Sequence, residues 1–223
     1  AEMFGQAALP FFDMANADVV VSFGANFLET WLSPVAYTRG FSKMRKGTNG
    51  KRGYLVQFEA RMSQTGAVAD EWIPLRPGTE GLVALALARL AAEARGDALP
   101  KSLAGVDAAL AAGKAGLKLE TLESLAARIA QAAAPLALAG GAALAQSNGL
   151  QTAKAVLALN ASMNNLGQPG GVSLSPLAPG EDAYHRPASA QEMADFVKKL
   201  ESGAVKVLFV HGVNPVFELP KSL

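Results

Sequence analysis

The chain has 223 residues, 50% of them hydrophobic and 17% charged, with 20 Lys and Arg against 19 Asp and Glu and no Cys. This excludes a disordered or fibrous chain, a disulfide scaffold and a thiolate metal site, while a net charge of +1 without runs of like charge gives no support to nucleic-acid binding. Two histidines are too few for most metal centres, no stretch of about 18 apolar residues supports direct membrane insertion, and Ala1-Glu2-Met3-Phe4-Gly5 has no signal-peptide pattern.

In chain order, Val19 to Phe23 reads as a buried strand closed by the turn Gly24-Ala25-Asn26. A mixed, aromatic-rich stretch from Leu28 to Met44 follows, and Tyr54 to Phe58 reads as a second strand. Ile73-Pro74-Leu75 is a third, short strand, and Thr79 is the N-cap of a helix over Leu82 to Ala94. The Gly- and Ala-rich region from Arg95 to Leu119 reads as a connection with one short helix. The spacing of Leu122, Leu125, Ala126 and Ile129 predicts a helix over 119–133. Leu136 to Ala139 is the next strand, Gln151 to Asn164 the next helix, and the connection through Pro187 has little regular structure. Ser189 caps a helix to Leu200, and Val205 to Val210 reads as a last buried strand.

Strands alternating with helices predict an α/β fold: a Rossmann-like, mostly parallel sheet with helices on both faces, plus part of a second α/β unit. The division is expected near Pro135, giving domains 1–134 and 135–223.

Ligands of open α/β sheets bind beyond the carboxyl ends of strands, so the strand-end loops are the places to search. Gly24 and Asn26 offer a close backbone approach and a side chain that both donates and accepts, or simply a tight turn. Glu59 can accept from ribose hydroxyls and Arg61 can meet a phosphate, or the two form a solvated ion pair. Pro77-Gly78-Thr79-Glu80 places a carboxylate in the first turn of a helix, where it can accept two hydrogen bonds from a guanine edge or serve as an ordinary helix start. Asp13, Asp70, Glu71 and Arg76 show no acid/base spacing, and His185 and His211 read as a solvated loop and a strand-end residue. Hydrolase and P-loop signatures are absent, as is the complete G-x-G-x-x-G fingerprint.

The ordered motifs resemble the molybdopterin oxidoreductase family, which includes formate dehydrogenases, nitrate reductases and dimethyl sulfoxide reductases. Ala17 to Phe27 is similar to the family's strand and G-x-N-P turn, and Glu59-Ala60-Arg61 to its D-P-R. Ala69-Asp70-Glu71-Trp72-Ile73-Pro74-Leu75-Arg76-Pro77-Gly78-Thr79-Glu80 is similar to A-D-x-W-[LI]-P-[LI]-R-P-G-T-D, the most specific block. Gly140-Gly141, Ser147-Asn148-Gly149 and Leu159 through Gly171 resemble the later family motifs. Within the family, Phe27 to Pro34 and Glu80 are most similar to the molybdopterin-like subunit of alternative complex III, a quinol-oxidising respiratory assembly.

The resemblance implies a domain holding molybdopterin guanine dinucleotide, with Mo or W, in an electron-transfer enzyme. By position, Gly24, Ala25 and Asn26 would line the phosphate turn, Glu59 and Arg61 the ribose region, and Glu80 the guanine edge, with Gly78 and Thr79 also binding cofactor. The family's metal ligand and iron–sulfur cysteines lie upstream of the segment matched here, so the chain reads as an excised central piece, not catalytic alone. Its expected partners are the rest of a parent chain with its iron–sulfur segment and the subunits of a respiratory complex. Departures from the family at Phe27, Ala60 and Glu80 favour the alternative, a structural domain that keeps the fold without the cofactor.

Overall fold

The computed structural model describes residues 9–47, 51–174 and 188–219. Four strands form its main sheet: β2 (Val19–Phe23), β3 (Tyr54–Phe58), β4 (Glu71–Ile73) and β5 (Pro135–Ala139). All pairings are parallel and the order is β4-β3-β2-β5. A small second sheet pairs β1 (Pro10–Phe12) antiparallel with β6 (Val172–Leu174).

The β2, β3 and β5 sequences are nearly continuous apolar runs because both faces of the sheet are covered. Val19, Val21, Phe23, Val56, Phe58 and Ala137 point into one core with α3 (Glu80–Arg95), α5 (Ala108–Ala115), α6 (Leu119–Gln131) and α7 (Gly149–Ser162). Val20, Leu55, Leu136 and Leu138 point into the other, beneath Tyr37 and Met44 of α1 (Pro34–Lys46). Pro34 opens α1, where a missing N–H costs nothing. Two short helices, α2 (Gln64–Ala67) and α4 (Lys101–Ala104), complete this part.

β5 is an edge strand, and Asn160 of α7 closes it. Its side chain accepts from the Ala137 N–H at 3.0 Å and donates to the Ala137 carbonyl at 2.9 Å, as a neighbouring strand would. Asn165 donates to Asn160 Oδ1 at 2.8 Å and to the Pro135 carbonyl at 2.6 Å.

The described residues fall into two compact units, through Ser175 and from Pro176 onward. The division expected at 134/135 lies between α6 and β5, inside the first unit, where β5 pairs with β2 from Val19–Pro135 to Phe23–Ala139. The connection expected over 95–119 holds two helices, α4 and α5, and the third strand ends at Ile73 because Pro74 has no N–H to continue the ladder.

In the second unit, Ser189 and Glu192 form a reciprocal capping box that starts the helix Ala190–Glu201. The strand expected over Val205 to Val210 is not one: the segment is irregular, and Phe209 is 92% exposed. An apolar run becomes a buried strand only beside a hydrogen-bonded neighbour and under covering layers, and the second unit supplies neither among its described residues. His185 lies outside the described residues.

Candidate functional site at the strand ends

The register Phe58–Phe23–Ala139 aligns the carboxyl ends of β3, β2 and β5. Because the chain runs from β2 to β3 and β4 on one side and returns to β5 on the other, the switch point of the sheet lies between β2 and β5. Gly24 and Gly140 meet there. Gly24 has φ +66°, and a Cβ on it would sit 3.0 Å from the Gly140 carbonyl, so any side chain would be strained and crowded. Its N–H donates to the Phe58 carbonyl at 2.9 Å, and Gly140 donates to Phe23 at 3.1 Å.

Ala25 is buried and Asn26 half-buried. The Asn26 carbonyl accepts from the N–H groups of Glu29 (3.0 Å) and Thr30 (3.2 Å), while its amide donates to Thr30 Oγ1 at 2.9 Å. Asn26 thus shapes the loop that delivers Trp31. The Trp31 indole donates to the Ala139 carbonyl at 3.2 Å, packs against Phe12 and Tyr37, and would overlap a Cβ at Gly140. Phe27, where the family has Pro, is fully buried 5.6 Å from the Phe41 ring, ring centre to ring centre.

Glu59 lies at the end of β3, but its carboxylate is turned inward. It accepts from Gln57 Nε2 (2.9 Å), the Ser63 N–H (2.7 Å), Ser63 Oγ (3.2 Å) and Trp72 Nε1 (3.2 Å). Arg61 is exposed, with no hydrogen bond or ion pair among the described residues.

Glu80 opens α3 and is 3% exposed. Oε1 accepts from Gln146 Nε2 at 3.2 Å, while Oε2 is buried with no partner among the described residues. A carboxylate at a helix N-terminus is favoured by the dipole. Thr79 occupies the N-cap position, but its hydroxyl donates to the Arg76 carbonyl at 2.5 Å and does not cap the helix. The Gly78 carbonyl accepts from Asn148 Nδ2 at 2.8 Å. The loop after β5 therefore touches both places: Gly140 the switch point, Gln146 and Asn148 the start of α3.

Gln146 and Trp31 are the site residues that sequence reasoning missed. An amide directly after the apolar Ala142–Ala145 run, and an indole three residues before the Pro that opens α1, were the available signals. The clearest ionisation shifts lie at the opposite, amino ends of the strands. Burial pushes Tyr54 up to about 12, helped by its hydrogen bond to Glu71. At Asp70 burial acts to raise the value, but the Leu55 N–H, Arg52 and Arg45 together hold it below the ordinary carboxylate range. Among the described residues no group of three His, Cys, Asp or Glu could hold a metal ion, and no helix is long and apolar enough to cross a membrane.

A four-stranded parallel sheet with helices on both faces places the chain in the α/β class. The family model of molybdopterin oxidoreductases matches residues 4–221, and the chain belongs to that family. It is similar to the molybdopterin-binding-like subunit of menaquinone reductase from Nitratidesulfovibrio vulgaris, at 28% identity over 94% of the chain and 32% of that protein. A probable dimethyl sulfoxide reductase chain of Escherichia coli is 38% identical over 77 residues, 34% of this chain and 9% of that one. Acetylene hydratase from Pelobacter acetylenicus shares the fold, with a TM-score of 0.55 and 17% identity over 71% of this chain and 23% of its own. The chain thus spans about a third of the menaquinone reductase subunit and less of the others.

Proposed function

We propose that this chain is the Rossmann-like segment of a longer molybdopterin oxidoreductase-family protein and seats the guanine dinucleotide end of its cofactor. The observation that carries the reading is Glu80 Oε2, a buried carboxylate oxygen without a partner among the described residues, at the start of a 16-residue helix. A guanine edge offers two adjacent N–H donors that suit a carboxylate held in this way. The bound group would supply the redox chemistry, and this chain's residues would hold it in place. Titration of the chain with GDP and ADP tests the proposal: GDP is preferred, and Glu80→Gln abolishes the preference. Equal affinity for the two nucleotides would overturn it.

A second reading, a structural domain of a respiratory complex without the cofactor, is favoured by Trp31 and Glu59. The indole is fixed over Gly140 at the switch point, and the carboxylate expected to meet a ribose is taken up by four internal donors. Elemental analysis of the protein isolated from its host decides between them. About one Mo or W atom per chain excludes the second reading, and metal-free protein with its complex intact excludes the first.

A further inference from the structure

We infer that Gln146 is the gate of the Glu80 subsite, closed in the free protein and displaced when a guanine base enters; the inference rests on the guanine reading proposed above. The Gln146 amide donates to Glu80 Oε1 at 3.2 Å and to the Ala142 carbonyl at 3.1 Å, so one nitrogen ties the carboxylate to the loop after β5. Its own Oε1 lies across the 76–80 turn, 3.2 Å from where a Cβ on Gly78 would be. The two oxygens of Glu80 are therefore unequal: Oε1 accepts from Gln146, and Oε2 is buried with no partner among the described residues.

A base edge with two parallel N–H donors needs both oxygens at once. The Gln146 amide competes with it for Oε1. Departure of the amide breaks no core packing, because Gln146 is half-exposed on an irregular loop, whereas Asn148 two residues on stays bonded to the Gly78 carbonyl and keeps the turn in place. Opening also gives the orphaned oxygen a partner, so ligand entry relieves a buried acceptor that the closed state leaves unsatisfied. Gln146 thus lowers affinity for the bidentate base edge that must displace it and so sets how strongly guanine is preferred, which makes it a specificity-determining residue.

Calorimetric titration of the chain with GDP, IDP and ADP tests this, using Gln146→Ala and Gln146→Asn, the second one methylene too short to reach Glu80. Both variants are expected to bind GDP about tenfold more tightly than the parent, the scale of one hydrogen bond to a charged group. The gain shrinks for IDP, which lacks the 2-amino donor, and disappears for ADP. Preference for GDP over ADP in the parent with no tighter binding in either variant overturns the gate and leaves the guanine reading standing. Absence of any GDP preference in the parent and both variants overturns the guanine reading, and the gate with it.

Discussion

The Glu59 carboxylate is held by Gln57, Ser63 and Trp72, which belong to β3, the loop after it and β4, so it joins segments before any ligand is considered. Glu59→Ala leaves several buried donors without an acceptor and is expected to lower stability by about 3 kcal/mol, measured by urea unfolding without ligand. A variant as stable as the parent would show that the cluster is dispensable. Asp70 makes a different prediction. Its carboxylate is 11% exposed and accepts from Arg52 at 2.6 Å, from Arg45 and from the Leu55 N–H at 2.8 Å. Its folded value lies below the ordinary 3.8, so the unfolded chain takes up the proton first as pH falls. The contribution is complete at neutral pH, begins to fade near 3.8 and is lost once pH drops through the folded value. Unfolding of the parent and Asp70→Asn at pH 7 and pH 3 checks this: the two differ at pH 7, and the difference narrows at pH 3.

At the scale of elements, β5 shows how an edge strand is kept from pairing with foreign chains. Asn160 takes up both backbone groups of Ala137 from within α7, and Asn165 supports it from the following turn. Asn160→Leu keeps the volume but leaves Ala137 unsatisfied, with an expected loss of about 2–3 kcal/mol and concentration-dependent aggregation visible by light scattering. The strands β2, β3 and β5 and the helices α3 and α6 were legible because their patterns are local: short apolar runs ending in Gly or Glu, and leucines three and four residues apart. The strand expected at Val205 to Val210 has the same local pattern, but strand formation depends on a neighbour, which composition does not disclose. For the same reason residue types at the strand ends were legible and their partners were not. Glu59 was recognised as a strand-end carboxylate, yet its inward turn depends on Trp72, 13 residues away, and Glu80 meets Gln146 across 66 residues.

For the whole molecule, both buried cores and both sheets belong to residues up to Leu174. The second unit has a helix face of Met193, Phe196, Val197 and Leu200 lining an open groove with Leu208, Phe209 and Val210, and neither of its described helices has a buried residue. A chain cut after Ser175 is therefore expected to unfold cooperatively with a Tm within about 3 °C of the parent's, while binding markedly less of a hydrophobic dye; a collapse of Tm on truncation would assign the second unit a share of the core. The placement of β5 beside β2 also sets a timetable. Asp18 waits for the N–H groups of Ala133 and Ala134, 115 and 116 residues later, and Trp31 waits 108 residues for the Ala139 carbonyl. At ribosomal speeds that interval is on the order of ten seconds, during which β2 can pair with β3, and β3 with β4, while the other edge of β2 stays open. The main sheet is thus completed only once β5 has been made, and until then Val19 to Phe23 keeps one edge unpaired.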